Sequence, residues 1–223
     1  MYPDTATAVE PERDGVPSRP ADDDVVVLAW WQHPVNVIAL IVAAALTAAM
    51  AGFLFGDARA RPEANDVDIG FLQDMRVHHE QAVAMSFAFL DRPDTTPGLR
   101  TIARTIVMGQ SEDIGRMIER LREVGADEAP DLDAPAMTWM GMSTTYDEMP
   151  GLASRADFDE LAATTGTAAD ELFARLMIAH HEGGIHMAEY ATEHAASGEV
   201  RRMATAMAES QRHEITEIEG LLA

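Results

Sequence analysis

The chain contains no cysteine and no lysine among its 223 residues. The absence of cysteine excludes a disulfide, a thiolate metal site and a lipid-modified cysteine anchor. Basic residues are few: 16 arginines stand against 38 acidic residues, which gives a formal net charge of −22. Because a phosphate-binding surface needs clustered basic side chains, this balance argues against nucleic acid as a partner. It favours solubility and the attraction of cations.

One segment near the N-terminus has no charged residue. It runs for 21 residues from Val35 to Phe55, and as a helix it would span roughly 30 Å, the thickness of the hydrocarbon core of a bilayer. Two tryptophans precede it and suit the interface at one end. We expect residues 25–56 to form an uncleaved transmembrane anchor, although Ala58-Arg59-Ala60 resembles the cleavage site of a signal peptide.

The segments on either side of this anchor are polar. Residues 1–24 are rich in Pro, Asp and Glu and are predicted to be disordered, and residues 57–65 are predicted to be a linker. Two arginines flank the anchor on each side, so the positive-inside rule gives no orientation. We adopt the commoner arrangement, which predicts a single-pass protein of the cell membrane with its main domain outside the cytoplasm.

Beyond the linker, apolar residues recur at the three- and four-residue steps of amphipathic helices. Proline and glycine divide this region into helices. The predicted boundaries lie at Pro93, Pro97, Gly125, Gly166 and Ser197-Gly198. An irregular, methionine-rich connection is expected at 126–153, followed by a short helix near 157–163. Thr167 with Asp170 is predicted to cap the long helix that follows.

The most informative pattern is a repeat at a constant offset of 102 residues. Its first copy reads Met75-Arg76-Val77-His78-His79-Glu80 and is followed by Met85; its second reads Met177-Ile178-Ala179-His180-His181-Glu182 and is followed by Met187. Imidazole, carboxylate and thioether are all metal-ligand groups. The repeat therefore predicts a metal site built from two related halves.

The helix after each His pair contains a second repeat. Gln110-Ser111-Glu112-Asp113-Ile114 matches Gln211-Arg212-His213-Glu214-Ile215 at an offset of 101. Each half is therefore a helical hairpin, and two hairpins make a four-helix bundle. Each His pair lies about as far before its turn as the Gln-x-x-acid segment lies after it. We therefore expect the first pair to face Gln110 and Asp113, and the second to face Gln211 and Glu214.

The two histidines of a pair cannot point the same way, because successive residues of a helix differ by about 100°. Residues three and seven positions apart lie on the same side of a helix. His78 is therefore aligned with Met75 and Met85, and His180 with Met177 and Met187. One histidine of each pair is therefore predicted to bind metal, while the other contacts a carboxylate or lies toward a groove. The candidate metal ligands are His78, His79, Met75, Met85, Asp113, His180, His181, Met177, Met187 and Glu214.

The donor set also bears on the identity of the metal. Histidine with methionine favours copper, in particular Cu(I), whereas histidine with carboxylate favours iron, manganese or zinc. The methionines of the connection favour copper as well, with plugging of the bundle end as their alternative role; they are Met137, Met140, Met142 and Met149. A di-iron oxidase bundle normally has Glu-x-x-His on two helices, and no such motif occurs near either repeat.

The double Met-x-x-His-His frame, the Gln-x-x-acid-Ile segments and the methionine-rich connection resemble the domain of unknown function 305 family over residues 66–222. The resemblance implies a ferritin-like fold, often outside the cytoplasm, and links some members to copper binding and copper resistance. By position, the family motif falls on His78, His79, Met85, His180, His181 and Met187. Gly183-Gly184 departs from the usual pattern and is expected to loosen its helix and leave space beside His180.

These patterns predict an all-α protein in which one transmembrane helix precedes a ferritin-like four-helix bundle at 66–223. The expected function is copper binding for storage, delivery or resistance. We expect no catalysis, since no activated nucleophile or general acid–base pair is evident. Two alternatives stay open: a ferritin-like metalloenzyme of the oxidase type, and a metal-free helical interaction module. The expected partners are the metal ion and the membrane, with a homo-oligomer or a metal-transfer partner left open.

Overall fold

The computed structural model describes residues 29–59 and 64–222, without the side chains of 54–59. The long elements of this part are all helices: α1 (Pro34–Arg59), α2 (Asp66–Leu90), α3 (Pro97–Val124), α4 (Arg155–Ala163), α5 (Gly166–His194) and α6 (Gly198–Leu222). The predicted all-α class is confirmed. The predicted disordered tail at 1–24 lies outside the described residues. The chain divides into two compact units, residues 1–56 and 57–223.

Most of the apolar helix α1 lies in the first unit. Its segment Pro34–Phe53 has a mean hydropathy of 2.2 and is long and apolar enough to cross a membrane, a property that a signal sequence shares. The helix extends to Arg59, three residues into the predicted linker. Asp57-Ala58-Arg59 contains no helix-breaking residue, and alanine and arginine favour a helix. The backbone therefore stays helical past the last apolar residue.

The second unit consists of two helical hairpins and a connection between them. α2 packs along α3 in the first hairpin and α5 along α6 in the second, while α2 also packs on α5 between the hairpins. The predicted four-helix arrangement is confirmed. α3 begins with Pro97 and ends at Gly125, which adopts the left-handed conformation (φ 75°) that favours glycine. The likeness to ferritin stays a prediction.

The turn between α2 and α3 is held by an aspartate from the opposite hairpin. Asp170 of α5 accepts hydrogen bonds from the backbone N–H of Thr96, at 3.0 Å, and from its hydroxyl, at 2.6 Å. The predicted capping of α5 by Thr167 with Asp170 is therefore wrong. α5 begins at Gly166, and the Asp170 carboxylate satisfies donors at the start of α3, which would otherwise lack partners.

The second hairpin turn is held in the same way. Asp68 of α2 accepts hydrogen bonds from the backbone N–H groups of Ala196 and Ser197, each at 3.0 Å. Asp68 and Asp170 are 102 residues apart, so these contacts belong to the internal repeat. Each hairpin therefore fixes the turn of the other, which sets the register of α2 against α5.

The connection between α3 and α4 is fastened to α2 by one buried carboxylate. Asp74 accepts hydrogen bonds from the backbone N–H of Met137 at 2.8 Å, the indole N–H of Trp139 at 2.8 Å and the hydroxyl of Tyr146 at 2.9 Å. Three donors satisfy this carboxylate despite its burial. An irregular segment thereby acquires one fixed path over the bundle.

Two apolar clusters fill the bundle, and polar residues lie between them along all four long helices. On α2, Met75 belongs to the first cluster and Met85 to the second; on α5, the order is reversed, with Met177 in the second and Met187 in the first. The reversed order shows that α2 and α5 run in opposite directions. His78-His79 and His180-His181 lie between these methionines. The sequence thus places a polar layer across the middle of an apolar core.

Candidate metal centre

The four repeated histidines lie in this polar layer and are buried. His78, His180 and His181 are 0% exposed and His79 is 1% exposed. They sit midway along α2 and α5, the two helices that pack against each other between the hairpins. Four imidazoles without access to bulk water need partners inside the protein, because buried polar groups are nearly always satisfied.

His78 and His180 meet face to face at the centre of the layer. Their ring centroids are 3.8 Å apart, with 35° between the ring planes. His180 Nε2 lies 2.9 Å from the backbone carbonyl oxygen of His78. Since a carbonyl only accepts hydrogen bonds, Nε2 bears the proton and Nδ1 of the neutral ring has the lone pair. His180 Nδ1 and both ring nitrogens of His78 make no hydrogen bond of good geometry among the described residues, although the Pro150 carbonyl lies near His78.

Both central imidazoles are held in the neutral form. Burial lowers the pKa of His78 to about 3, and the neighbouring His79 and His181 add to the shift, while the Pro150 carbonyl opposes it. Burial likewise lowers the pKa of His180 well below its usual value, with repulsion from His78 next in size. Neutral imidazole is the form that binds a metal ion. Protons therefore compete little for these nitrogens.

The second histidine of each pair points to a carboxylate on the neighbouring helix. His79 Nε2 lies 3.8 Å from Asp113 Oδ2, and His181 Nε2 lies 2.6 Å from Glu214 Oε2. The structure thus places His78 and His180 together and brings His79 and His181 to carboxylates; metal binding by the central pair stays a prediction. In the described part of the chain, no three His, Asp or Glu side chains converge on one point. Any metal site here therefore needs donors of another type or a rearrangement of side chains.

Buried methionines precede and follow each central histidine along its own helix. Met75 and Met187 are fully buried in the first apolar cluster, and Met85 and Met177 are fully buried in the second. The first cluster is unusually rich in sulfur. Its methionines are Met75, Met117, Met137, Met140, Met149, Met187, Met203 and Met207. Three methionines of the connection thus pack beside two candidate ligands, while Met142 stays 39% exposed and outside the cluster.

The connection also covers the central histidines. Gly151 has a φ of 84°, and a Cβ atom placed on it would lie 2.4 Å from the backbone oxygen of Ala179 and 3.0 Å from Cα of His180. Gln81 of α2 fastens the next segment, because its amide bonds both the N–H and the carbonyl of Ala153, at 2.7 and 3.0 Å. The backbone of the connection therefore lies directly on α5 at the histidine layer.

Gly183 and Gly184 have a different role from the predicted one. A Cβ on Gly183 would lie 2.0 Å from the Pro150 oxygen, and a Cβ on Gly184 would lie 2.3 Å from Oε1 of Gln211. α5 continues unbroken through both glycines. The predicted loosening is wrong: the glycines admit the close approach of the connection and of a glutamine. The space beside His180 is filled by this backbone.

The fold and this layer define a class of protein: a bundle of two hairpins with a buried His-Met-carboxylate centre. The chain belongs to the family described as domain of unknown function 305 (DUF305), whose model matches residues 68–222. No curated protein matches the chain significantly.

Solved structures show the same fold. A DUF305 protein from Streptomyces coelicolor, described as a candidate secreted protein, is 38% identical with a TM-score of 0.64, over 70% of this chain and 91% of that one. A DUF305 fragment from Deinococcus radiodurans is 30% identical with a TM-score of 0.62, over 72% and 98%. CopM in its Cu(I)-bound form is 23% identical with a TM-score of 0.50, over 69% and 94%.

Proposed function

We propose that the four-helix domain binds copper, most tightly as Cu(I), between His78 and His180. The observation that supports this most directly is the central pair itself: two neutral imidazoles 3.8 Å apart, with ring nitrogens that make no aligned hydrogen bond among the described residues, on helices that also bury methionines. Imidazole with thioether is a soft donor set that suits Cu(I). An unpaired buried polar group costs about 1–3 kcal/mol, so a bound metal would offset a cost that the apo protein bears.

The remaining candidate ligands act around this pair. Met75, Met85, Met177 and Met187 supply thioethers above and below it, while His79 with Asp113 and His181 with Glu214 form the outer contacts of the same layer. The connection covers the centre, where His78 and His180 are fully buried. A buried site retains an ion and suits storage, delivery or resistance.

Copper as the cargo draws support from one similar structure. CopM, which shares the fold, has been solved with Cu(I) bound. At 23% identity this likeness extends to the fold alone, so the argument for copper rests on the donor set of this chain. Iron, manganese or zinc would favour the carboxylate side of the layer over the methionines.

The location follows from α1. We infer that this helix stays attached and holds the domain at the outer face of the cell membrane. Its uncharged segment is longer than the 7–15 apolar residues of a typical signal peptide. N-terminal sequencing of the mature protein tests this: a start at or near Met1 supports the anchor, and a start near Ala60 shows a cleaved signal.

A metalloenzyme of the oxidase type is the second candidate, favoured by the two His–carboxylate contacts. Under that hypothesis Fe(II) added to the protein would consume oxygen catalytically. The copper carrier predicts no turnover. In the third, metal-free module, the histidines serve only to bond Asp113 and Glu214, and the protein would bind no metal.

Competition against a chromophoric Cu(I) chelator, with the full chain in detergent and without oxygen, tests the proposal. His78→Gln/His180→Gln should weaken Cu(I) binding at least ~100-fold, because losing ligands should exceed the 10–100-fold effect of losing the groups that orient them. His186→Gln/His213→Gln, at two exposed histidines, is the matched control and should match the parent. No Cu(I) binding by the parent, or equal binding by the central variant, would refute the proposal.

A further inference from the structure

A small cavity lies between α3 and α6, beside His79. Its volume is about 40 Å³, enough for one ion with a water molecule. The side chains of His79, Gln110, Asp113, Met207, Gln211 and Glu214 line it. α3 and α6 touch only sparsely, and the cavity also borders the exposed residues Gly109 and Ser210. We call this region the α3–α6 seam.

Buried polar atoms without partners surround this cavity. Gln110 is 5% exposed and Gln211 is 3% exposed. Oε1 of Gln110, both amide atoms of Gln211 and Oε2 of Glu214 have no aligned hydrogen bond among the described residues. Native proteins satisfy such atoms. The seam therefore suits a polar or charged ligand.

Gln211 is placed in the seam by a glycine on the neighbouring helix. A Cβ on Gly184 would lie 2.3 Å from Gln211 Oε1 and 3.0 Å from its Nε2. Any larger residue at this position of α5 would push the amide away. Gly184 thus gives the Gln211 amide room beside the His181–Glu214 contact.

The donors of the seam differ in chemistry from those of the central pair. They are imidazole, carboxylate and amide oxygen, with Met207 the one thioether among the lining residues. This set suits borderline divalent ions, whereas His with Met suits Cu(I). Asp113 is partly exposed and lies 3.4 Å from Arg116, so one arginine stands near the two carboxylates of the seam.

We propose that the α3–α6 seam is a second metal site, which takes a divalent borderline ion through His79, Asp113 and Glu214, while His181 positions Glu214. The amide oxygens of Gln110 and Gln211 complete the donor set. Cu²⁺ should bind more tightly than Zn²⁺, following the usual order of divalent ions. The two His–carboxylate contacts do not converge in the described residues, so Glu214 and the glutamines rotate toward the ion when it binds.

This proposal rests on the proposed copper function and adds a second metal site to it. The seam reaches from the exposed edge of the bundle to His79, the neighbour in sequence of His78. A divalent ion held by His79 would therefore be bound by the residue next in sequence to His78 of the proposed copper centre. The negative net charge of the chain, −22, attracts cations to such an opening.

Two variants of the full chain separate the two sites. Asp113→Asn/Glu214→Gln preserves side-chain shape and removes the charges of the seam. It should weaken Zn²⁺ binding, measured by calorimetry, at least ~10-fold and weaken Cu(I) binding by a clearly smaller factor. His78→Gln/His180→Gln should do the reverse. Glu112→Gln/Glu209→Gln removes two exposed carboxylates from the same helices and should match the parent for both ions.

The outcomes that overturn the second site differ from those that overturn the copper proposal. A parent that binds Cu(I) and no Zn²⁺ or Cu²⁺ removes the second site alone, as does a seam variant with unchanged Zn²⁺ affinity. Equal loss of both ions in both variants would show one shared site and also overturn the seam. A parent that binds Zn²⁺ at the seam but no Cu(I) would leave the seam and refute the copper centre. Circular dichroism checks that each variant is folded.

Discussion

His180 donates its Nε2–H to the backbone carbonyl of His78, 2.9 Å away and 102 residues earlier in the chain. This bond joins equivalent positions of the two halves, and it leaves Nδ1 of His180 as the nitrogen with a lone pair. The internal repeat therefore does more than duplicate a motif. It brings two imidazoles together where α2 of one hairpin packs against α5 of the other.

Cu(I) should stabilise the folded protein. A ligand that binds only the folded state at 100 times its dissociation constant adds about 2.7 kcal/mol, and each kcal/mol raises Tm by roughly 2–4 °C for a domain of this size. Anaerobic thermal unfolding should therefore show an increase of roughly 5–10 °C. The variant His78→Gln/His180→Gln should lose most of this increase. An equal increase in both proteins would place the ion elsewhere.

The apo protein should lose stability as the pH falls below about 6.5. The pKa of His78 is lowered to about 3 in the folded state, so the unfolded state binds more protons between these values, and stability rises with pH in that window. Between pH 6.5 and 4.5 His78 alone should contribute about 2–3 kcal/mol to the loss, at about 1.4 kcal/mol per pH unit. Chemical denaturation of the metal-free protein at both pH values measures it.

The matching control for pH is His78→Gln. Because glutamine does not titrate, this variant should show a smaller loss of stability between pH 6.5 and 4.5 than the parent. Carboxylates titrate in both proteins and cancel in the comparison. Identical losses would mean that His78 is not held neutral by burial.

Substitution of Gly183 should displace the connection. A Cβ there would lie 2.0 Å from the Pro150 backbone oxygen, and overpacking of this kind typically costs about 1–3 kcal/mol. Gly115→Ala is the control, since a Cβ at that helical position meets nothing within 4 Å and should stabilise by about 0.5–1 kcal/mol. Thermal unfolding of Gly183→Ala and Gly115→Ala should give shifts of opposite sign. A stabilised Gly183→Ala protein would show that the connection does not rest on α5.

The two aspartates that hold the hairpin turns should act independently. Asp68→Ala and Asp170→Ala each remove bonds from a carboxylate to backbone N–H groups, worth about 1.5–3 kcal/mol for a charged acceptor. Because they hold different turns, their effects should add in the double variant within about 0.5 kcal/mol. Asp66→Ala, at an exposed position in the first turn of α2, should change stability less. Denaturant titration of the parent, the two single variants, the double variant and Asp66→Ala provides the comparison.

Local patterns predicted the helix boundaries and the division of each His pair. Pro97 and Gly125 act within their own turn, and the faces of α2 and α5 follow from helical periodicity. Contacts of Asp68, Asp74 and Asp170 could not be found in this way, since their partners lie on other elements. A repeat of aspartate at the 102-residue offset was present in the sequence and would have drawn attention to two of them.

The glycine pair shows where local interpretation fails. In isolation, glycine inside a helix indicates weakened structure, and that was the expectation for Gly183 and Gly184. The actual reason is tertiary, because the Pro150 backbone and the Gln211 amide approach α5 too closely for a side chain. The path of an irregular connection decides this, and irregular segments have no period from which a path can be predicted.

The most direct test of the central claim is X-ray absorption at the copper edge of the Cu(I)-loaded full chain. The proposed centre predicts imidazole nitrogen together with thioether sulfur around the ion, and a spectrum that loses its imidazole component in His78→Gln/His180→Gln. A first shell of nitrogen and oxygen without sulfur, or an unchanged spectrum in this variant, would contradict a copper centre between His78 and His180.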